Sequence, residues 1–435
     1  MWRPVPSVTG LVSTGLVTAP EVCHNGGPPA LGDRLMTILA NMLNPTGRRL
    51  AAGCGVVVSL LVGASAAPAQ EPIKIGLVAA LSGGSAKSGE GITRGLTIAI
   101  DEINAAGGLL GGRKLMLLRR DDESNPANGQ TAARELMDQE KVAAMFGGID
   151  SPVALGIVPL ANKEKVPFFS VWAAATPITR NGANPNYVFR VSAVDALVDK
   201  ALVQYARKTF DAKNLGLALV NNPWGESNEK GLAAAAQEQG IKIAAVEKFE
   251  DRDVDMVPQL TRLKAANADV IVLVANAAPG AQVMKSLQRI GWSAPVISHW
   301  GISGGRFTEL AGPWSQKVAF IQTYSFFGLQ NPVGQKVLSA LKAKYSDIKG
   351  PEDVVPPVGV ANAYDAMRMV ALAIANAGTT DGDKLRQALE SIDRYEGLIK
   401  NYARPFTAEN HDALNENDYI MVHYIGDNIE PIAMK

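Results

Sequence analysis

The residues from His299 to Phe307 read HWGISGGRF, and Gly301 to Gly305 within them fit the G-x-S-x-G pattern that exposes a nucleophilic serine on a tight turn. A hydrolase built this way needs Ser303, then an acid, then a histidine, and His411 and His423 follow in that order. The nucleophile elbow, however, sets its serine in the first turn off a strand, whereas Trp300 and Gly301 intervene after the apolar PVIS. The other reading is a glycine-rich loop that touches a bound ligand. Metal chemistry finds less support. His299, His411 and His423 stand at no metal-ligand spacing, and DDESNPANGQ lacks the sixth-position glycine of an EF-hand loop. SGGSAKSGEG, after the first apolar run, holds neither the dinucleotide fingerprint nor a P-loop. No cofactor and no metal are expected.

The elements that would position such residues alternate. IKIGLVAAL (Ile73 to Leu81) is a near-continuous apolar strand, Gly91 to Gly108 an amphipathic helix ended by glycines, and Lys114 to Asp122 a second strand. A helix over Pro126 to Gln139, the strand AAMFGG, a helix opening at Ser151-Pro152 and the strand PFFSVW follow. After YVFRVS (Tyr187 to Ser192) and a helix over Ala196 to Thr209, the strands LGLALVNN, IKIAAVEKF, VIVLVAN and PVISHW make a second such unit. The fold class is therefore α/β, with two Rossmann-like lobes of parallel-rich sheet. Helical stretches from Asn331 to Tyr345 and Gly359 to Ala377 are expected to return to the first lobe, and DYIMVHYIGDNIEPI to close the second as a hairpin. That assigns 70–192 plus 325–400 to lobe 1 and 193–324 plus 401–435 to lobe 2, joined by a three-segment hinge. A ligand then belongs in the cleft, outside the carboxyl ends of the strands, with hinge closure around it.

Composition narrows the partner. Lys+Arg 42 balance Asp+Glu 42, so the electrostatic footprint of a nucleic-acid or anionic-membrane binder is missing. Arg48-Arg49, the apolar run Leu50 to Val62 and Ala67-Pro68-Ala69 form the charged, apolar and cleavage regions of a secretory leader, cut after Ala69. The apolar run is too short to span a bilayer, which takes about 20 residues. Met36 and Met42 each give a leader of ordinary length, so 1–35 reads as an overextended start. Cys23 and Cys54 both precede the cut, which leaves the exported chain without disulfides.

GGIDSPVALGIVPLANKEKVPFFSVWAAATPIT, Gly147 to Thr179, favours binding over catalysis. Ser151 as N-cap and Pro152 as first helical residue place a helix N-terminus at a strand's carboxyl end, where free N–H groups and the dipole attract an anion. Ala175-Thr176-Pro177 offers a second helix start, and two such ends would hold one carboxylate. In order along the chain, the IKIGLVAALSG opening, GLTIAIDEINAAGGLLGGRKL, the DDESNP strand end, Ser151-Pro152, A-T-P-I-T and NNPWGESNEKGL make it resemble the type I periplasmic binding proteins of ABC importers, in the leucine/isoleucine/valine-binding group. That group includes amide and aromatic-acid binders.

The resemblance implies that Ser151, with Ala175 and Thr176 to within one position, grips a ligand carboxylate. It also implies that Trp224 covers the ligand and that Asn276 and Ala277 add contacts; Ser88 is a further candidate. Amino-acid binders of the group pair the α-ammonium with an acid whose position here falls on Trp300, unless another acid such as Glu226 takes over. An indole offers an apolar face and one N–H donor. Trp172, Trp224 and Trp300, if they face the cleft rather than fill the core, would stack on a flat ligand. The function implied is extracytoplasmic capture of a small carboxylate or amide, without a free α-amine, for delivery to ABC permease subunits. A branched-chain amino acid is the alternative ligand. The chain is expected to be periplasmic, monomeric, not inserted in the membrane once processed, and not an enzyme.

Overall fold

The computed structural model describes residues 70–433; the expected leader and cleavage site, with Cys23 and Cys54, lie outside them. The first half alternates β1 (Ile73–Ala79), α1 (Ala86–Ala105), β2 (Leu115–Asp121), α2 (Pro126–Arg134), β3 (Ala144–Gly147), α3 (Ser151–Glu164), β4 (Phe168–Ser170) and β5 (Val188–Arg190). Their strands form one parallel sheet in the order β2-β1-β3-β4-β5. The helix expected over Pro126 to Gln139 is α-helical only to Arg134; Glu135–Gln139 continue it as a π turn.

The second half repeats the pattern with α4 (Asp195–Phe210), β6 (Asn214–Val220), α5 (Pro223–Gln239), β7 (Lys242–Phe249), α6 (Val257–Ala265), β8 (Val270–Val274), α7 (Ala277–Arg289), β9 (Val296–Ser298), the short α8 (Phe307–Ala311) and β10 (Val318–Gln322). The chain then forms α9 (Pro332–Lys344), α10 (Pro357–Ala377), α11 (Gly382–Glu390) and a small hairpin, β11 (Arg394–Glu396) with β12 (Asn401–Ala403). It ends in β13 (Ile420–Ile425) and β14 (Asn428–Pro431), which pair antiparallel and join β10. The second sheet runs β14-β13-β10-β9-β8-β6-β7.

Burial explains the sequence pattern. β1, β6 and β8 are covered on both faces, which is why they read as unbroken apolar runs, while the edge strands β2 and β7 carry exposed polar positions. α10 is apolar all round because it packs along α1 in the core, with 83% of its most apolar window buried. In both sheets strand order reverses beside the first strand, β1 between β2 and β3 and β6 between β7 and β8. The loops at these carboxyl ends are where an open α/β sheet takes its ligand.

Candidate functional site

Five strand ends meet around one small cavity. The loop after β3 gives Ile149, Asp150 and Ser151, and that after β4 gives Trp172, Ala173 and Ala174. The other sheet supplies Trp224 after β6, Asn276 after β8 and Trp300 after β9. The space left between these side chains is about 10 Å³, room for about one water and far below the ~300–1,000 Å³ usual for drug-sized ligands. The three indoles are almost wholly buried, at 3%, 8% and 3% exposure for Trp172, Trp224 and Trp300.

Local sequence aims each group. Asn222 caps α5 by accepting from Trp224 N at 2.9 Å and Gly225 N at 3.2 Å, with Pro223 pre-set for the first turn, so Trp224 leaves a fixed backbone. Asp150 and Asn276 hold the N-cap positions of α3 and α7, yet neither side chain caps its own helix. Asn276 Nδ2 instead donates to Asp150 Oδ1 at 2.7 Å across the cleft. Two helix N-termini therefore reach the cavity without their side-chain caps, a setting that favours an anion. Ser151 Oγ accepts from Ala175 N at 3.2 Å, which leaves its hydroxyl hydrogen free to donate.

The cleft is closed. Ser88 Oγ donates to Gly304 O at 3.3 Å and Thr176 N donates to Ser227 Oγ at 3.1 Å, both between the two halves. Only glycine fits at 304: a Cβ there would lie 2.0 Å from Ser88 Oγ and 3.2 Å from Trp172 Cζ2. Gly304 and Gly305 of HWGISGGRF thus serve lobe contact, whereas Gly301 packs within its own half, where a Cβ would lie 2.6 Å from Ala275 O.

The sequence profile of the family described as "Periplasmic binding protein" matches residues 72–425. The chain belongs to this family. Among relatives, it is 26% identical over 316 residues to Leu/Ile/Val-binding protein homolog 3 of Brucella melitensis biotype 1, covering 73% of this chain and 82% of the relative. Among solved structures it is similar to the branched-chain amino acid transporter substrate-binding protein LivJ of Streptococcus pneumoniae in complex with isoleucine, at TM-score 0.71 and 26% identity, over 83% of this chain and 98% of that one. It shares its fold with an ABC-transporter solute-binding protein of R. palustris in complex with benzoate, at TM-score 0.71 and 21% identity, over 83% and 95%. The protein is thus a solute-binding protein of the ABC-transporter type with the type I periplasmic binding protein fold.

In this periplasmic binding protein the sequence-derived candidates divide. Ser151, Trp172, Trp224, Asn276 and Trp300 line the cavity together. Ala175 and Thr176 do not; Ala173 and Ala174 stand there instead, because Thr176 is drawn outward, its N–H to Ser227 and its Oγ1 to Ala196 N at 3.2 Å. The second helix start expected at Ala175-Thr176-Pro177 is a three-residue 3-10 turn, Thr176–Ile178, too short to carry a helix dipole. Ser151 is the first residue of α3 rather than its N-cap, which is Asp150. Ser88 and Ala277 sit at the lobe contact, Ala277 with its Cβ beside Gly305. Glu226 is exposed and away from the cavity.

Asp150 is the acid at the cavity, and sequence reasoning passed over it although it immediately precedes Ser151-Pro152. Burial raises its carboxyl above the usual range, with Ser124 and Asn276 opposing. Behind the indoles lie His299, Asp195 and Asp199, all fully buried. Burial holds the His299 imidazole down to about 3. It raises Asp195 to about 6 and, with the charge of Asp195 adding, Asp199 well above the carboxylate range. Ser303 is buried in the 3-10 turn Trp300–Gly304; its hydroxyl donates to Trp300 O at 2.6 Å and accepts from Gln322 Nε2 at 3.1 Å. His411 is bound elsewhere, to Val188 O and Glu390, and His423 pairs within the β10–β13 ladder. The serine-hydrolase reading is therefore set aside: Ser303 is a structural residue of the loop.

Proposed function

We propose that the cavity binds a small carboxylate or amide with a flat apolar or aromatic body and no free α-amine, and that the protein delivers it in the periplasm to ABC permease subunits. The observation that carries this reading is the pairing of two helix N-termini with three indoles around one space: Ser151 and the starts of α3 and α7 on one side, Trp172, Trp224 and Trp300 on the others. An anionic head gains ~0.3 to 2 kcal/mol from a helix dipole. A ring gains ~0.5 to 1.5 kcal/mol per aromatic partner beyond its area burial. Closure over the ligand presents both lobes to the permease in one arrangement, and the processed chain acts as a monomer, with no reaction of its own.

Asp150 favours a second reading. An ionised carboxylate there would pair with the α-ammonium of a branched-chain amino acid, the class named for the Brucella relative and bound in the LivJ structure. Calorimetric titration with benzoate and with L-leucine separates the two. Heat with benzoate alone supports the first, and sub-micromolar binding of leucine alone replaces it with the second.

A further inference from the structure

The wall behind Trp224 contains polar groups that the cavity does not use. The indole Nε1 donates to Asp195 Oδ1 at 3.2 Å. His299 Nδ1 stands 3.9 Å from the same oxygen, and its Nε2 stands 3.5 Å from Asp199 Oδ1. The imidazole also meets the Trp224 ring edge to face, with centroids 5.6 Å apart and planes at 89°. All three polar residues have no exposure. Both nitrogens of His299 and both oxygens of Asp199 lack a hydrogen bond among the described residues.

Asp195 and Asp199 are one helical turn apart on α4 and face the same imidazole. α5 closes over them through Gly231, where a Cβ would fall 1.9 Å from Asp199 Oδ2. Arg190 from β5 and Ser227 and Asn228 from α5 lower the Asp195 carboxyl against its burial, while burial and the charge of Asp195 raise Asp199. Two carboxylates in a dry site do not both ionise when one can keep a proton. The arrangement that satisfies most atoms puts that proton on Asp199, which donates to His299 Nε2. The imidazole is then neutral and carries its own hydrogen on Nδ1, which at 3.9 Å faces the charge of Asp195 without a hydrogen bond, while Asp195 is left ionised to accept from the indole.

We propose that Asp199, His299 and Asp195 form a buried relay that holds one proton and orients Trp224 over the ligand, so that a carboxyl group two residues removed from the cavity sets the geometry of its wall. The relay rests on the reading that Trp224 contacts the ligand. These are positioning residues. Without a donor at 199, Nε2 is left as a buried unpaired acceptor, and the imidazole that meets the Trp224 ring edge to face loses its anchor, so the hold on the indole would loosen.

The test uses ligand-free protein, so its failure is distinct from a wrong ligand class. In ¹⁵N-histidine-labelled protein, with the His299 signals assigned by their loss in His299→Gln, the relay predicts a neutral imidazole protonated on Nδ1 at neutral pH. A neutral Nε2–H tautomer or an imidazolium would overturn it. In ¹⁵N-tryptophan-labelled protein, solvent exchange of the Trp224 Nε1–H should be about tenfold faster in Asp199→Leu, the loss of one net hydrogen bond. It should stay near native in Asp199→Asn, which donates from the same place. Equal exchange in all three proteins, or loss in Asp199→Asn as well, would contradict the proposal.

Discussion

Asn276 Nδ2 donates to Asp150 Oδ1 at 2.7 Å, and each of these residues is the N-cap of a helix it does not cap. An N-cap side chain given up typically costs a helix ~1 kcal/mol. Here two are given up for one bond between the lobes, which ties cleft closure to the two helix starts that face the cavity.

Asp150 makes ligand charge readable. Its carboxyl is raised by burial, and a carboxylate bound beside it favours the protonated form further. Binding of benzoate should therefore take up a proton, and affinity should fall as pH rises through the Asp150 titration. Asp150→Asn should bind benzoate about as well as native protein and lose that pH dependence. For an ammonium ligand the sign reverses, and Asp150→Asn would weaken binding by ~3 to 5 kcal/mol, the cost of an unpaired buried charge. Titration calorimetry in buffers of different ionisation enthalpy counts the proton.

Gly304→Ala should hinder closure, since its Cβ would meet Ser88 Oγ at 2.0 Å. We expect a larger radius of gyration by small-angle scattering and at least tenfold weaker ligand binding, about 1.4 kcal/mol. Adding Ser88→Ala removes the obstructing hydroxyl and should restore most of both.

The Asp199 and His299 pair should shape stability against pH. Between about pH 4 and 6.5 the folded pair holds one proton on Asp199 and the unfolded pair holds one on the histidine, so the pair adds no slope. Above about 6.5 the unfolded pair has lost its proton, and stability should fall with rising pH for as long as burial keeps Asp199 protonated in the fold, with ~1.4 kcal/mol per pH unit as the limit for one proton. In Asp199→Asn the folded site binds none, so stability should rise with pH up to about 6.5 and then level off. Asp122, raised by burial to about 7, contributes to both proteins, so the difference between their denaturation midpoints across pH isolates the pair.

Asn222→Ala should cost ~1 kcal/mol by removing the cap of α5, and it should weaken ligand binding in addition, because the cap bonds include Trp224 N. Chemical denaturation and calorimetry measure the two effects separately.

Alternation of strand and helix made the architecture legible, and it also placed Ser151, Trp172, Trp224, Asn276 and Trp300 at strand ends before any coordinates. What it could not give was direction within a loop. Whether 173–174 or 175–176 faces the cavity depends on Ser227 and Ala196, which pull Thr176 away from far along the chain. Asp150 read as the residue before a cap because local sequence favours Ser151 there; the competing partner, Asn276, is 126 residues distant. Asp195 and Asp199 at i and i+4 look like a solvated helix face, yet both are fully buried, Asp199 directly against Gly231 of α5.

Under the proposed function the cleft takes a carboxylate with a flat body and rejects an α-ammonium. The most direct test is thermal unfolding of the protein with benzoate and, separately, with L-leucine. A ligand at about 100 times its dissociation constant adds about 2.7 kcal/mol of stability. We expect a rise with benzoate that is lost in Trp224→Ala, and none with leucine. A rise with leucine and none with benzoate would contradict the proposed function and assign Asp150 to the ammonium.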